Sequence, residues 1–309
     1  MRTLALILLL AACDAGEKPA PPAPSPTPKK IPTAQSVPDA KYLPADSDLV
    51  VKLDLAALRR AKLWTTYGRQ VSNLIVPGFS QCDYDPLAAA RSIVIGIPLE
   101  SQRAVYVVRG TDRNQAIGCL RTSAAVKLDG DFFTVTKANG NDYVFTFVDD
   151  TTMVMQAWQG ATKQTLQRAL AADVPTGDPA FAMMMARIAG AAPIAIASRP
   201  GSKTIEEKAA TSGIRPQEMY GTLTLTDGLH ITYATVFKTK DEATQFANLM
   251  DAQLEQTKTY WEATAQAQGN TTTMSVAMTE AQVTSMVNLL EPMLNTPPVP
   301  PAHTPEPID

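Results

Sequence analysis

Aspartates fall in close pairs along the chain, among them Asp46 with Asp48, Asp129 with Asp131, and Asp149 with Asp150. Paired carboxylates hold calcium, or divide acid and base roles in a hydrolase of glycosidic bonds. Each pair, however, sits where the pattern predicts a turn or the start of a strand. Aspartate is favoured there for backbone reasons, and no glutamate follows at ligand spacing. Histidine is scarce, with only His230 and His303 in the chain. His230, among threonines on the polar side of a predicted strand, is a base or ligand candidate by type, but simple exposure is the plainer reading. Without it the folded body has no serine triad, and zinc needs clustered His and Cys that are nearly absent. GxGxxG, GxxxxGK[ST] and GxSxG do not occur. Met183, Met184 and Met185 with Met274 and Met278 raise copper binding through thioethers. Consecutive helical residues diverge, so flexible core filling is favoured instead. The expectation is no catalytic residue, no metal ligand and no cofactor.

Arg2 followed by the apolar run Leu4–Leu10 makes a leader well short of the roughly 20 apolar residues that span a bilayer. It reads as an export signal. At its end Leu10-Ala11-Ala12-Cys13 resembles the lipobox of bacterial lipoproteins, in which small residues precede a cysteine that is lipidated. The resemblance covers the first thirteen residues. It implies a signal peptide over 1–12, a diacylglyceryl thioether on Cys13, cleavage before that residue, and usually a further acyl chain such as palmitate on the freed amine. Two or more chains, at about 0.8 kcal/mol per buried CH₂, hold a protein on a membrane stably. The implied location is the bacterial cell envelope, on the periplasmic side of the inner membrane or at the outer membrane. Asp14 resembles the inner-membrane retention signal of enteric bacteria, a rule that varies between bacterial groups.

Residues 13–44 carry the lipidated cysteine and read as a tether. Nine prolines lie between Pro19 and Pro44, and the segment has too little apolar area to offset its ordering entropy. At about 3.1 Å per residue, about thirty residues of polyproline II reach at most about 90 Å. The Pro-rich residues 296–309 repeat this chemistry and read as a disordered tail. In an exported protein the remaining thiols, Cys82 and Cys119, 37 residues apart, are a disulfide candidate. Closing that loop contributes about 4 kcal/mol on the loop-entropy argument. The alternative is two separate cysteines, with Cys119 on the apolar side of a short helix.

Between tether and tail lie about 250 residues, more than the commonest single-domain size. A hydrophobic fraction of 45% with 18% charged residues supports a buried core, and the formal charge of −3 includes no basic stripe. Nucleic acid is therefore excluded as a partner.

Periodicity predicts strands in DLVVKL, RSIVIGIPL and RAVYVVRG, a helix near Leu63, Tyr67 and Val71, and a short helix in DRNQAIGCLRT. A meander follows, GDFFTVTK, DYVFTFV and TTMVMQAW, with turns at Asn139-Gly140 and Asp149-Asp150, and then a helix in ATKQTLQRALAAD. The second half repeats the order: strand PIAIASRP, helical SKTIEEKAATSG, hairpin EMYGTLTLTDGLHITYATVFK, and one long helix from Lys240 to Gln268. Strand NTTTMSVAM and a final helix close it. Thr239 with Glu242 and Thr279 with Gln282 have capping-box spacing. In the hairpin, a loop of Thr226-Asp227-Gly228 with Gly228 left-handed pairs Thr224 with His230 and Leu223 with Ile231, which keeps apolar residues on one face. The fold class is α+β: tandem duplicated units of antiparallel sheet with packed helices, over 45–175 and 176–295. The functional expectation is a membrane-anchored envelope lipoprotein with a non-catalytic binding or structural role, its partners being the membrane and an envelope protein or apolar ligand. The alternatives are a carboxylate-dependent hydrolase of envelope polymers and a carrier of lipid or another apolar molecule.

Overall fold

Alternation of apolar and polar residues specifies strands with one side buried, and near-continuous apolar runs specify strands buried on both; the described part of the chain has twelve strands. The computed structural model describes residues 39–66, 84, 86–101, 103–123, 126–136, 142–171, 178–210, 215–255 and 261–295. After a short 3₁₀ turn, Ala40–Tyr42, the first half runs β1 (Leu49–Asp54), α1 (Leu55–Leu58), α2 (Pro86–Ala89), β2 (Ser92–Ile97), β3 (Ala104–Arg109) and α3 (Arg113–Thr122). It continues through β4 (Val126–Asp129), β5 (Phe132–Thr136), β6 (Asp142–Phe147), β7 (Thr152–Trp158) and α4 (Lys163–Ala171). The second half contains α5 (Pro179–Ile188), β8 (Ile194–Ser198), α6 (Lys203–Ala210), β9 (Glu218–Thr224), β10 (Leu229–Val236), α7 (Lys240–Glu255), β11 (Glu262–Gln268), β12 (Thr271–Met278) and α8 (Glu280–Asn295).

All twelve strands form one antiparallel sheet in the order β11-β12-β10-β9-β8-β1-β2-β3-β7-β6-β5-β4. The halves join where β1 lies beside β8, with Val51 opposite Ile196. Outward from this junction both halves place a hairpin next, β2–β3 or β9–β10, and then a later hairpin with its second strand inward, β6–β7 or β11–β12. The first half adds the β4–β5 hairpin at its edge. This correspondence is the duplicated α+β arrangement expected from element order.

Register carries one face across the whole sheet. From the β4 edge a row runs through Leu128, Phe133, Phe145, Met155, Tyr106 and Ile95 to Val51. Beyond the junction it continues through Ile196, Gly221, Tyr233 and Met274 to Ala265. On this first face Leu55 and Leu58 of α1 and Ala116 and Leu120 of α3 bury Ile93, Val108, Phe133, Phe145 and Met153. Val283 of α8 covers Met278, while the buried Thr272 hydroxyl donates to the Ala243 carbonyl of α7 at 2.7 Å. On the second face Leu166 of α4 and Phe181, Met184, Met185 and Ile188 of α5 cover Val50, Val94, Val105, Val107 and Val154. Farther out on that face the row Thr222, Thr232, Ser275 and Thr264 is exposed.

The β9–β10 hairpin has the expected register, Thr224 opposite His230 and Leu223 opposite Ile231, with Gly228 at φ +130°. Both capping boxes form: Thr239 N–H donates to Glu242 at 3.0 Å, and Thr279 N–H to Gln282 at 2.7 Å. Three expectations are corrected. The long helix ends at Glu255, and 262–268 is strand β11, because Ala263, Ala265 and Ala267 alternate with polar residues at period two and Gly269 (φ +61°) turns the chain into β12. Alanine's helix propensity obscured that alternation. Strand β4 was not expected, and α5, expected only as the helical setting of Met183–Met185, is capped by Asp178, which accepts from Ala180 and Phe181 N–H. Residues before Ala45 also pack onto the body: Leu43 is buried, and Asp39 pairs with Arg109. The Asn139-Gly140 turn lies outside the described residues, as do Tyr67, Val71 and the segments read as signal, tether and tail.

Gly221 sits in the central row opposite Tyr233. A Cβ there would stand 2.7 Å from the Thr232 carbonyl oxygen and 3.0 Å from the Tyr233 ring. Gly221→Ala is expected to destabilise the fold by about 1–3 kcal/mol, read as a lower midpoint in chemical denaturation.

Candidate functional site

The aspartate pairs are engaged one by one in structural bonds. Asp46 accepts from Arg103 at 2.9 Å, whereas Asp48 accepts from the Leu99 N–H at 2.9 Å and from the Ser202 hydroxyl, tying β1 to the start of α6. Asp129 takes Lys163 at 2.8 Å, and Asp131 takes Arg113 at 3.5 Å. Asp149 closes the β6–β7 turn on the Thr151 N–H and hydroxyl, and the first of these bonds holds its carboxyl below the ordinary value. The Asp150 carbonyl accepts the Arg113 N–H at 3.0 Å. Among the described residues no three His, Cys, Asp or Glu side chains gather as a metal set.

The other candidates are likewise dispersed. His230 is exposed on the second face between Thr224 and Ala277, and His303 lies outside the described residues. Met184 and Met185 are buried on the second face and Met278 on the first, while Met183 is 40% exposed. The sheet thus separates the thioethers. Cys119 is buried on α3 and disulfide-bonded; Cys13 and Cys82 lie outside the described residues. Trp261, expected late in a helix, instead precedes β11 and packs near Met278 and Val283; Tyr260 lies outside the described residues.

What the chain does form is a cleft of about 420 Å³ on the second face, near the start of the ordered body. Its floor comes from strand parity: Val105 on β3 lies opposite Gln156 on β7, and Trp158 follows two residues on. One wall is α4, where Thr165, Arg168 and Ala169 share a helix side by their i, i+3, i+4 spacing and the buried Leu166 holds the helix down. The opposite wall is the lead-in segment from Lys41 to Ala45. It is fastened at both ends. Asp39 and Arg109 pair before it, and after it Arg199 donates to the carbonyls of Ala45 and Ser47, to the latter at 3.0 Å. Burial pushes the Asp39 carboxyl above its ordinary value despite the opposing Arg109 contact.

Among the described residues the lining contains three cations, Lys41, Arg103 and Arg168, and no carboxylate. Gln156 is buried, and its amide oxygen accepts the Thr165 hydroxyl at 2.8 Å. Lys41 stands 4.7 Å from the centre of the Tyr42 ring. This arrangement offers apolar surface and positive charge, and it places no carboxylate or histidine acid–base group against a ligand. None of these residues emerged from sequence reasoning. Lys41 and Tyr42 fell inside the presumed tether, and the arginines are far apart in the chain. The one usable signal was Gln156, a glutamine interrupting an apolar strand.

No family model matches the chain, and no curated protein matches it. Among solved structures, crystal form I of TP0453 is similar with a TM-score of 0.52 at 13% identity, covering 84% of this chain and 99% of that one. Crystal forms III and IV of TP0453 give 0.48 and 0.46, both at 9% identity, over 81% of this chain and 98% and 95% of theirs. The likeness to form I is one of fold.

Asp178, the cap of α5, binds Arg199 at 2.7 Å. That bond, with help from the Phe181 and Ala180 N–H groups, outweighs desolvation and holds its carboxyl below the ordinary 3.8. A depressed folded-state value makes the stabilisation present above 3.8 and lost as pH falls through the lower folded value. Asp178→Asn, which keeps a capping side chain, is expected to be less stable than the parent at neutral pH. The gap in melting temperature should close as pH falls below about 4.

Proposed function

We propose that this chain is a lipid-anchored, non-catalytic binding protein of the bacterial envelope, whose ligand site is the cleft beside the lead-in segment. The observation that carries the reading is the cleft itself. It is formed in part by Lys41 to Ala45, and among the described residues it is lined by cations and apolar side chains with no carboxylate. Its volume lies in the range of small-molecule sites. The lipobox resemblance at Leu10–Cys13 supports the anchor, with the Pro-rich residues to 38 as spacer. The bonding of the Asp46, Asp48, Asp129, Asp131 and Asp149 carboxylates to separate structural partners supports a body without acid–base chemistry. Cys82 is proposed as the disulfide partner of Cys119.

Two measurements test the covalent features. Mass spectrometry of the exported protein should show an N-terminal acylated Cys13, and Cys13→Ser should move the protein from the membrane fraction to the soluble fraction. An unmodified thiol, or a variant that still sediments with membranes, refutes the anchor. A non-reducing peptide map should link the Cys82 and Cys119 peptides, and reduction should cost about 4 kcal/mol of stability; free Cys82 refutes the pairing.

A further inference from the structure

Resting on the reading of the cleft as a ligand site, we infer that its ligand is a small organic anion with an apolar body. The charged group would stand at Lys41 and Arg168, with the body against Trp158 and Val105. The chain as a whole is acidic, with a formal charge of −3, yet among the described residues three cations and no carboxylate line this cleft. One of them is already neutralised: Arg103 bonds Asp46 at 2.9 Å and the Ser101 hydroxyl at 2.9 Å. The other two differ. Among the described residues neither Lys41 nor Arg168 takes part in an ion pair. Arg168 donates its Nε–H to the Gln164 carbonyl at 3.3 Å and lines the cleft. Lys41 lies against the Tyr42 ring. Two cations on opposite walls of one concavity set up a positive potential that a single ligand anion relieves.

The interior decides the rest of the ligand. Gln156, the polar residue of the floor, has its amide oxygen on the Thr165 hydroxyl and its amide nitrogen 3.4 Å from the Thr165 carbonyl. It therefore contributes little hydrogen bonding to a guest, and a ligand rich in hydroxyls would leave them unmatched. Val105 and Leu43 are buried apolar residues, and Trp158 and Tyr42 are half-buried with ring surface still accessible. These surfaces recognise an aromatic or branched apolar group, while the rim recognises its carboxylate, sulfonate or phosphate.

The test is a fluorescence titration of the purified chain carrying Cys13→Ser, with anilinonaphthalene sulfonate as the anionic probe and phenylnaphthylamine as its uncharged counterpart. The expected result is one saturable site for the anionic probe, with the uncharged probe binding about tenfold more weakly. Lys41→Gln with Arg168→Gln should weaken the anionic probe by about the same factor, leave the uncharged probe unchanged, and leave the melting temperature unaltered. Equal binding of both probes, or charge variants that bind like the parent, overturns the anionic ligand while leaving the cleft as a binding site. Ala169→Trp fills the cleft. If that variant stays folded and still binds both probes, or if the parent binds neither, the cleft reading itself falls.

Discussion

The pairing of β1 with β8 is the constraint on which the rest depends. It brings Leu49–Leu53 against Ile194–Ser198, and without it each half would end in an open central strand whose backbone groups lack partners. Side chains reinforce it from both sides of the sheet. Val50, Ala195 and Ala197 are buried beneath α5, while Leu53 and Ile194 pack into the opposite cluster with Leu55 and Leu58. Polar bonds cross the same line. Arg199 N–H donates to the Asp48 carbonyl at 2.7 Å, its guanidinium reaches Asp178 and the lead-in carbonyls, and Ser202 donates to Asp48. The duplicated halves are one cooperative sheet because these contacts converge on its centre.

Helix coverage is unequal, and that inequality shapes the surface. The first face has helices over both halves. On the second face α4 and α5 lie over the first half and the junction, and Arg187 of α5 reaches Glu218 at 2.9 Å while stacking 3.9 Å from the Tyr220 ring. That largely buried pair fixes where coverage ends. Beyond it threonine and serine replace valine on the exposed row, which the sequence shows as a change in which residues alternate. The cleft arises at the other end of the same face, where α4 and the lead-in segment approach each other without closing.

Local rules were legible where one side of an element had to be buried and the turn chemistry agreed. The β9–β10 register followed from Leu223 and Ile231 needing the same face and from Gly228 tolerating a left-handed φ. The capping boxes followed from Thr239 with Glu242 and Thr279 with Gln282. Legibility failed where propensity and periodicity disagreed, as in β11, whose alanines suit a helix by type and a strand by spacing. It failed again at Asp39–Leu43, where proline content hid a segment held by the distant Arg109. The cleft was invisible because its walls come from residues more than a hundred positions apart, and only the register of β3 against β7 places them together.

The fastening of the lead-in segment has a mechanical side. Among the described residues, Asp39 on Arg109 and Ala45 and Ser47 on Arg199 are the first anchorage points met by any tension transmitted from the N-terminal side. Such a pull would load the Asp39 contact before it reached the sheet's hydrogen-bonded ladder. Slippage there would shift Lys41 and Tyr42, the movable wall, and leave Val105 and Trp158 in place. One short stretch of backbone thus carries both the contacts that fasten the segment and the side chains that wall the cleft.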